Sequence, residues 1–173
     1  IGKVEGRLMQ FLLKVSGARS AVEIGTFTGF SALMIAEALP VDGLLITCES
    51  SGAYAKIASR YFAKSPYGRK IRLELKPAIE TLKEISDNGV DFVFIDADKP
   101  SYGLYFDEAL RILRPGGLVF VDNVFWRNKI FKKPISNENA KAIAAFNRKV
   151  KNTDGIDKVM LSVRDGIYLI RKR

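Results

Sequence analysis

Apolar positions along this chain switch between two periods, and the switches outline its elements. Val4, Leu8, Phe11, Leu12 and Val15 fall at helical spacing, which predicts an amphipathic helix over residues 3–15 that ends near Gly17. The segment "SAVEIG" reads as a strand, and Thr28 as the cap of a helix over "GFSALMIAEAL" that Pro40 and the Asp42-Gly43 turn close off. Strand "LLITCE", helix "AYAKIASRYFAK", strand "KIRLELK", helix "AIETLKEIS" and strand "VDFVFIDA" follow in the same alternation, which implies a parallel sheet covered by helices. After helix "YGLYFDEALRIL", Pro115 and the two glycines of "RPGG" are expected to reverse the chain into strand "LVFVDNV". A basic loop then leads to helix "NENAKAIAAFNRKVKN". The end departs from the alternation: "KVMLSV" and "IYLIRK", around Arg164-Asp165-Gly166, read as an antiparallel β-hairpin with Asp-Gly in a tight turn. The expected fold class is α/β, a mostly parallel sheet with a C-terminal antiparallel hairpin. Open sheets of this kind bind ligands beyond the carboxyl ends of their strands, which directs attention to strands one, two, four and five.

Length and composition narrow the chemistry. A chain of 173 residues, 47% hydrophobic, can bury a core without staples and is read as a single domain over 1–173, with no repeat, low-complexity tract or long linker. The lone Cys48 excludes an intramolecular disulfide, and with no histidine the thiolate-cluster and imidazole zinc sites are excluded too. Any metal must be held by oxygen, which favours magnesium, calcium or manganese. No apolar run reaches the roughly 18 residues of a membrane span and the start lacks a signal-peptide succession, so the reading is a soluble, cytoplasmic protein with no membrane partner. The sequence begins at Ile1 and not at methionine, so an N-terminal piece is expected outside it. A net charge of +9, dense in "WRNKIFKK", "NRKVK" and "RKR", suits nucleic acid or an acidic small molecule, or serves solubility alone.

The strand ends carry the candidate chemistry. In "VEIGTFTGFS", Gly25 and Gly29 let backbone approach a ligand closely, or form an ordinary tight βα turn. The dinucleotide fingerprint would put glycines at 25, 27 and 30, and Phe27 and Phe30 fail it; a Gly-Lys-Ser/Thr phosphate loop is also absent. Glu23 ahead of the loop suits a ligand with an ammonium, such as S-adenosylmethionine, and Glu49 at the end of the second strand suits both hydroxyls of a ribose. Asp96 ends the fourth strand, and Asp122 and Asn123 end the fifth. Two carboxylates and an amide oxygen can hold Mg²⁺ while leaving places for water or substrate, and a cation removes their mutual repulsion. The other reading makes Asp122-Asn123 a turn and Asp96 a helix cap. Lys99 can lie over the same site as a general base, or be solvated.

Taken together, "VEIGTFTGFSALMIAEALP", "FVFIDADKPSY", "LRPGGLVFVDNVFW", "FNRKV" and "DGIYLIRKR" resemble the cation-dependent O-methyltransferases, the family of catechol and caffeoyl-CoA O-methyltransferases, from about Val4 to Lys172. The resemblance implies a class I S-adenosylmethionine-dependent methyltransferase sheet of Rossmann-like form. It implies that Glu23, Gly25, Thr26, Phe27, Gly29 and Ser31 hold the methionine part and ribose side of S-adenosylmethionine, that Glu49 binds the ribose hydroxyls and that Ala78 lies at the adenine, with Asp96 near the cofactor. Lys76-Pro77 stands where the family usually has a Gly-Asp or similar pair. Asp96, Asp122 and Asn123 match the ligands of Mg²⁺, or of another divalent cation such as Mn²⁺ or Ca²⁺. Lys99, catalytic together with Asp96, matches the base that deprotonates the substrate hydroxyl. Lys99, Asn123 and Trp126 border the acceptor, where Trp126 either stacks on an aromatic ring or is a packed hydrophobic anchor. Asp98 keeps only an orienting or solvated role. The family's additional N-terminal helices, which help to build a homodimer, are expected to be absent or truncated ahead of Val4.

The resulting expectation is S-adenosylmethionine-dependent, divalent-cation-dependent methylation of a hydroxyl on a vicinal-diol, catechol-like small molecule that an acidic group such as CoA can carry. The alternatives are hydroxyl methylation of a modified tRNA nucleoside, and a binding protein that keeps the fold without the chemistry. Amino methylation of bases is disfavoured, because no Asn/Asp-Pro-Pro-aromatic motif follows the fourth strand.

Overall fold

Strands buried on both faces take the middle of one sheet in the computed structural model, which describes Ile1–Arg173. The strands are β1 (Ser20–Ile24), β2 (Leu44–Glu49), β3 (Ile71–Leu75), β4 (Val90–Ile95), β5 (Leu113–Asp122), β6 (Ile156–Leu161) and β7 (Ile167–Lys172), in the order β3-β2-β1-β4-β5-β7-β6. β3 to β5 pair in parallel, and β7 runs antiparallel between β5 and β6, as the alternation and the closing hairpin predict. Strand order reverses between β1 and β4, which opens a crevice at their carboxyl ends.

Side chains alternate across the sheet and so divide the core in two. Val22, Ile24, Val93, Ile95, Val119 and Val121 face α4 (Ala78–Glu84), α5 (Tyr102–Ile112) and α6 (Glu138–Asn152), where they meet Leu82, Phe106 and Phe146. Ala21, Leu45, Phe92, Phe94 and Phe120 face α1 (Lys3–Val15), α2 (Phe30–Ala38) and α3 (Gly52–Lys64), meeting Met9, Leu13, Ile35 and Phe62. Each fully buried side chain of this size contributes about 1.5–3 kcal/mol, so the two layers hold the strand ends rigidly in place.

Four local expectations are corrected. The stripe Val4-Leu8-Phe11-Leu12-Val15 is not the face that α1 buries: Val4, Phe11 and Val15 are 66%, 64% and 70% exposed, and Glu5, Gly6, Met9, Gln10 and Leu13 turn inward. The cause is docking on α2, where Gly6 lies against Met34 and Gln10 donates to the Met34 carbonyl and the Glu37 carboxylate. Thr28 does not cap α2; the helix starts after Gly29, whose left-handed backbone ends the loop without a side-chain cap. "RPGG" does not reverse the chain but lies within β5 as a bulge, where pairing slips from Val90–Leu113 to Phe92–Leu118. The hairpin turn is not the tight Asp-Gly pair: β6 ends at Leu161 and pairs it with Ile167, leaving residues 162–166 as a wider loop.

Asp91 ties the opposite end of the sheet together. Its carboxylate accepts from the Arg19 and Ser20 backbone N–H groups at 2.9 and 2.8 Å, from the Ser20 hydroxyl at 2.9 Å and from Arg114 Nε at 2.5 Å, so it joins β1 and β4 to the bulge of β5. Burial alone would raise its pKa, but the Arg114 guanidinium and the Arg19 and Ser20 donors outweigh that and hold it at about 2. A carboxylate depressed in the folded state contributes stability above its unfolded value and loses it as pH falls through the folded one. Asp91→Asn should therefore cost about 2 kcal/mol at pH 7, the range of hydrogen bonds to a charged group. The gap to wild type should narrow as pH falls from 3.8 toward about 2. Urea unfolding at pH 7 and pH 3 reads both, and a gap of constant size would contradict this role.

Candidate active site

Gly25 follows β1 directly, at φ +104, and a Cβ there would stand 2.1 Å from the Asp96 carbonyl oxygen. Only glycine lets the β1 loop pass this close to the end of β4. Gly29 has a packing reason of its own, since a Cβ would press on the Phe62 ring at 2.7 Å. Between them Phe27, also left-handed, donates its backbone N–H to Glu49 Oε2 at 2.8 Å and sets its ring 4.5 Å from that of Tyr54. Glu49 Oε1 accepts from the Ser51 N–H at 2.8 Å, so the carboxylate at the end of β2 is held by two backbone donors and keeps lone pairs for a further partner.

Two neighbouring hollows, with Gly25, Phe27 and Asp96 in common, result. One of about 490 Å³ is lined by Gly25, Phe27, Glu49, Ala78, Asp96 and Asp98 among others, and one of about 440 Å³ by Gly25, Thr26, Phe27, Ser31 and Asp96 among others, sizes usual for a small-molecule site. Of the residues expected at the cofactor, Glu23 lies beneath this floor and is fully buried. Thr47 Oγ1 donates to its Oε2 at 2.5 Å and shares a second bond with Thr26 Oγ1, which turns the Thr26 hydroxyl inward; Glu23 Oε1 has no partner. Burial raises the Glu23 pKa to about 8, against the neighbouring Ser31 and Thr47 hydroxyls and with some help from Asp96.

The neighbouring ends of β4 and β5 bring Asp96, Lys99, Asp122 and Asn123 together. Lys99 Nζ, almost fully buried, donates to Asp96 Oδ1 and Asn123 Oδ1 at 3.1 Å each and to the Tyr102 hydroxyl at 2.5 Å. The Tyr102 hydroxyl in turn donates a hydrogen bond to the Asp122 carbonyl at 3.2 Å, and its pKa is well above the ordinary phenol value because it is buried, with Asp96 and Asp122 adding to the effect. Asp122 is held by the Asn123 N–H at 2.7 Å. Burial, then the nearby Asp96 and Glu5 charges, raise its pKa to about 7. Asp96 Oδ2 and Asp122 Oδ2 both face the Ile1 amino nitrogen at 3.7 Å, so the two carboxylates converge on one point. With the Asn123 amide oxygen beside them, this all-oxygen set fits a hard divalent cation.

Trp126 is packed on the core and also lies near the charged cluster. Its ring packs on the core beside α6 and is tied by Nε1 to Asn137 Oδ1 at 2.9 Å, while it also stands 5.5 Å from Lys99 Nζ. Two contacts around this cluster had no clear sequence signal. Tyr102 reads as the apolar start of a helix, although its spacing of three from Lys99 places both on one turn. Asn137 opens the predicted helix "NENAKAIAAFNRKVKN", which gives no sign of its bond to the Trp126 indole. Asp98 lines the larger hollow and accepts from the Tyr105 hydroxyl at 2.8 Å.

A parallel sheet closed by an antiparallel hairpin, a glycine turn without a phosphate motif, and an acid at the end of β2 define the S-adenosylmethionine-dependent methyltransferases as a class. Within that class the chain belongs to the O-methyltransferase family, whose model matches residues 1–173. It is 37% identical over 168 residues to a probable caffeoyl-CoA O-methyltransferase of Dictyostelium discoideum, covering 94% of this chain and 73% of that one. It is 31% identical over 162 residues to a catechol O-methyltransferase of Niastella koreensis, covering 92% and 73%. The crystal structure of a Bacillus cereus O-methyltransferase in complex with S-adenosylhomocysteine superposes with a TM-score of 0.93 at 26% identity, covering 100% of this chain and 82% of that one. No helix is long and apolar enough to cross a membrane.

The Glu23 environment makes a signed prediction for the protein without cofactor. A carboxyl whose folded pKa is raised has its full stability below the unfolded value and loses it as pH rises through the folded one. Between pH 4.5 and about 8 the wild type should lose up to about 1.4 kcal/mol per pH unit that Glu23→Gln does not lose. Melting temperatures across that window should diverge in favour of the variant, and parallel curves would contradict a neutral buried Glu23.

Proposed function

We propose that this O-methyltransferase methylates one hydroxyl of a vicinal-diol aromatic with the help of a divalent cation. The observation that carries the reading is the convergence of Asp96, Asp122 and Asn123 beside Lys99 at the mouth of the cofactor hollow. The names of the Dictyostelium and Niastella relatives support a catechol-like acceptor, and the former supports one carried on CoA. When bound, S-adenosylmethionine supplies an electrophilic sulfonium methyl, and Mg²⁺ or a similar cation supplies the charge that lowers the pKa of an adjacent hydroxyl.

The chain's own residues do the rest. Gly25, Thr26, Phe27, Gly29 and Ser31 shape the methionine side, with Glu23 beneath, while Glu49 takes the ribose and Ala78 and Asp98 border the adenine side. Asp96, Asp122 and Asn123 are the residues that would hold the cation. Lys99, as the neutral amine left once it has released a proton to solvent, takes the acceptor's proton, and Asp96, Tyr102 and Asn123 aim its Nζ. Trp126 walls the acceptor and excludes water. Fixing distance and direction is the main contribution of such a site.

A homodimer is part of this proposal, supported by the apolar stripe that α1 leaves exposed at Val4, Phe11 and Val15. A second reading, a modified tRNA nucleoside as acceptor, is favoured by the exposed lysines of the loop, Lys132 and Lys133, and the net charge of +9. Tight tRNA binding that falls steeply with salt would support it. A binding protein without chemistry would hold S-adenosylhomocysteine in calorimetry and turn over nothing.

Turnover of a catechol panel should require added Mg²⁺ or Mn²⁺ and stop with EDTA; undiminished turnover in EDTA would sink the cation mechanism. Asp96→Ala should abolish turnover, and Lys99→Ala should cost about 10²–10⁴-fold, the range for a general base. Asp98→Ala should weaken S-adenosylhomocysteine binding yet cost much less turnover than Asp96→Ala; equal losses would refute this division of labour.

A further inference from the structure

The segment that carries Asn123 and Trp126 has an unusual backbone: Asn123, Trp126, Arg127 and Asn128 all have positive φ, between 47 and 62 degrees. Such residues persist only where surrounding contacts over-determine them. The contacts come from the loop between β6 and β7. Val124 N–H donates to the Gly166 carbonyl at 3.1 Å, and Phe125 N–H donates to the Asp165 carbonyl at 2.8 Å. Arg127 N–H donates to Asp165 Oδ1. Asp165 thus grips the residues on both sides of Trp126, one with its backbone and one with its side chain. Gly166 lies under the Phe125 ring, where a Cβ would stand 2.6 Å from Phe125 Cγ, so no side chain fits between the two loops.

The gripping loop is itself fixed. Arg164 NH1 pairs with Glu5 Oε2 at 2.9 Å, and Glu5 is buried on α1. The far side of the segment is held by α6, through Asn147 Nδ2 to the Val124 carbonyl at 2.8 Å and Asn137 to the indole of Trp126.

We propose that Asp165 is a positioning residue that sets acceptor affinity and the choice between two adjacent hydroxyls, by fixing the Trp126 ring and the Asn123 amide relative to Lys99. The proposal rests on the reading that the acceptor lies among Lys99, Asn123 and Trp126. Asp165 touches none of the residues proposed at the cofactor, so its effect belongs on the acceptor side alone.

The test compares wild type, Asp165→Ala and Asp165→Asn in the full chain. Trp126 is the only tryptophan, so its fluorescence reports the segment whether or not an acceptor is known. Asp165→Ala should raise acrylamide quenching about twofold and shift emission to the red, while S-adenosylhomocysteine affinity and melting stay near wild type. Asp165→Asn, which keeps the acceptor for Arg127 N–H, should restore wild-type quenching. With 3,4-dihydroxybenzoate and related catechols, Asp165→Ala should raise KM about tenfold, lower kcat less, and change the ratio of the two monomethyl products; Asp165→Asn should restore both.

Unchanged quenching in Asp165→Ala would overturn the proposal, as would freed tryptophan with wild-type KM and product ratio. Equal damage in both variants, with cofactor affinity lost, would also overturn it by showing a general structural role. If wild type methylates no catechol, the vicinal-diol reading fails, while the quenching comparison still decides whether Asp165 holds Trp126.

Discussion

A buried ammonium with three acceptors from three segments organises this molecule's carboxyl-end crevice. Lys99 follows β4, Tyr102 begins α5 and Asn123 follows β5, and Nζ reaches Asp96 as well as the latter two. A lysine this enclosed is retained only when its donors are satisfied, and the acids gathered beside it are retained only when positive charge is close. Asp122 lies deepest among these acids: burial, then the Asp96 and Glu5 charges, raise its pKa to about 7. The proposed cation would sit where the two carboxylates converge.

The cofactor side obeys a steric rule in place of an electrostatic one. Gly25 passes within a Cβ's reach of the Asp96 carbonyl, which makes the β1 loop and the β4 end a single wall. Glu49 then braces the loop from β2 through the Phe27 N–H. Asp96 lines both hollows and also belongs to the charged cluster, so it links the two.

Much of this was legible in sequence because strand order alone makes neighbours of distant residues. Asp96, Asp122 and Asn123 lie at the ends of consecutive strands, and β4 and β5 do pair. Contacts between loops carry no such periodic signal. Asp165 reads as a turn residue, and its hold on Arg127 spans 38 positions without a local pattern. Tyr102 looks apolar until Lys99 is seen beside it. In α1 the period was correct but the buried face was not, since Gly6 and Gln10 dock on α2 and the more apolar stripe stays outside. "RPGG" likewise has the composition of a turn, yet Arg114 is captured by Asp91 and the strand runs on through a bulge.

Direct cation binding is the most immediate check on the central claim, that the carboxylates at the ends of β4 and β5 form a metal-assisted methyl-transfer site. Electron paramagnetic resonance titration of Mn²⁺ into the protein, with S-adenosylhomocysteine and a catechol present, should show one bound ion per chain, displaced by Mg²⁺ and lost in Asp122→Ala. No bound Mn²⁺ under conditions that support methyl transfer would contradict the account.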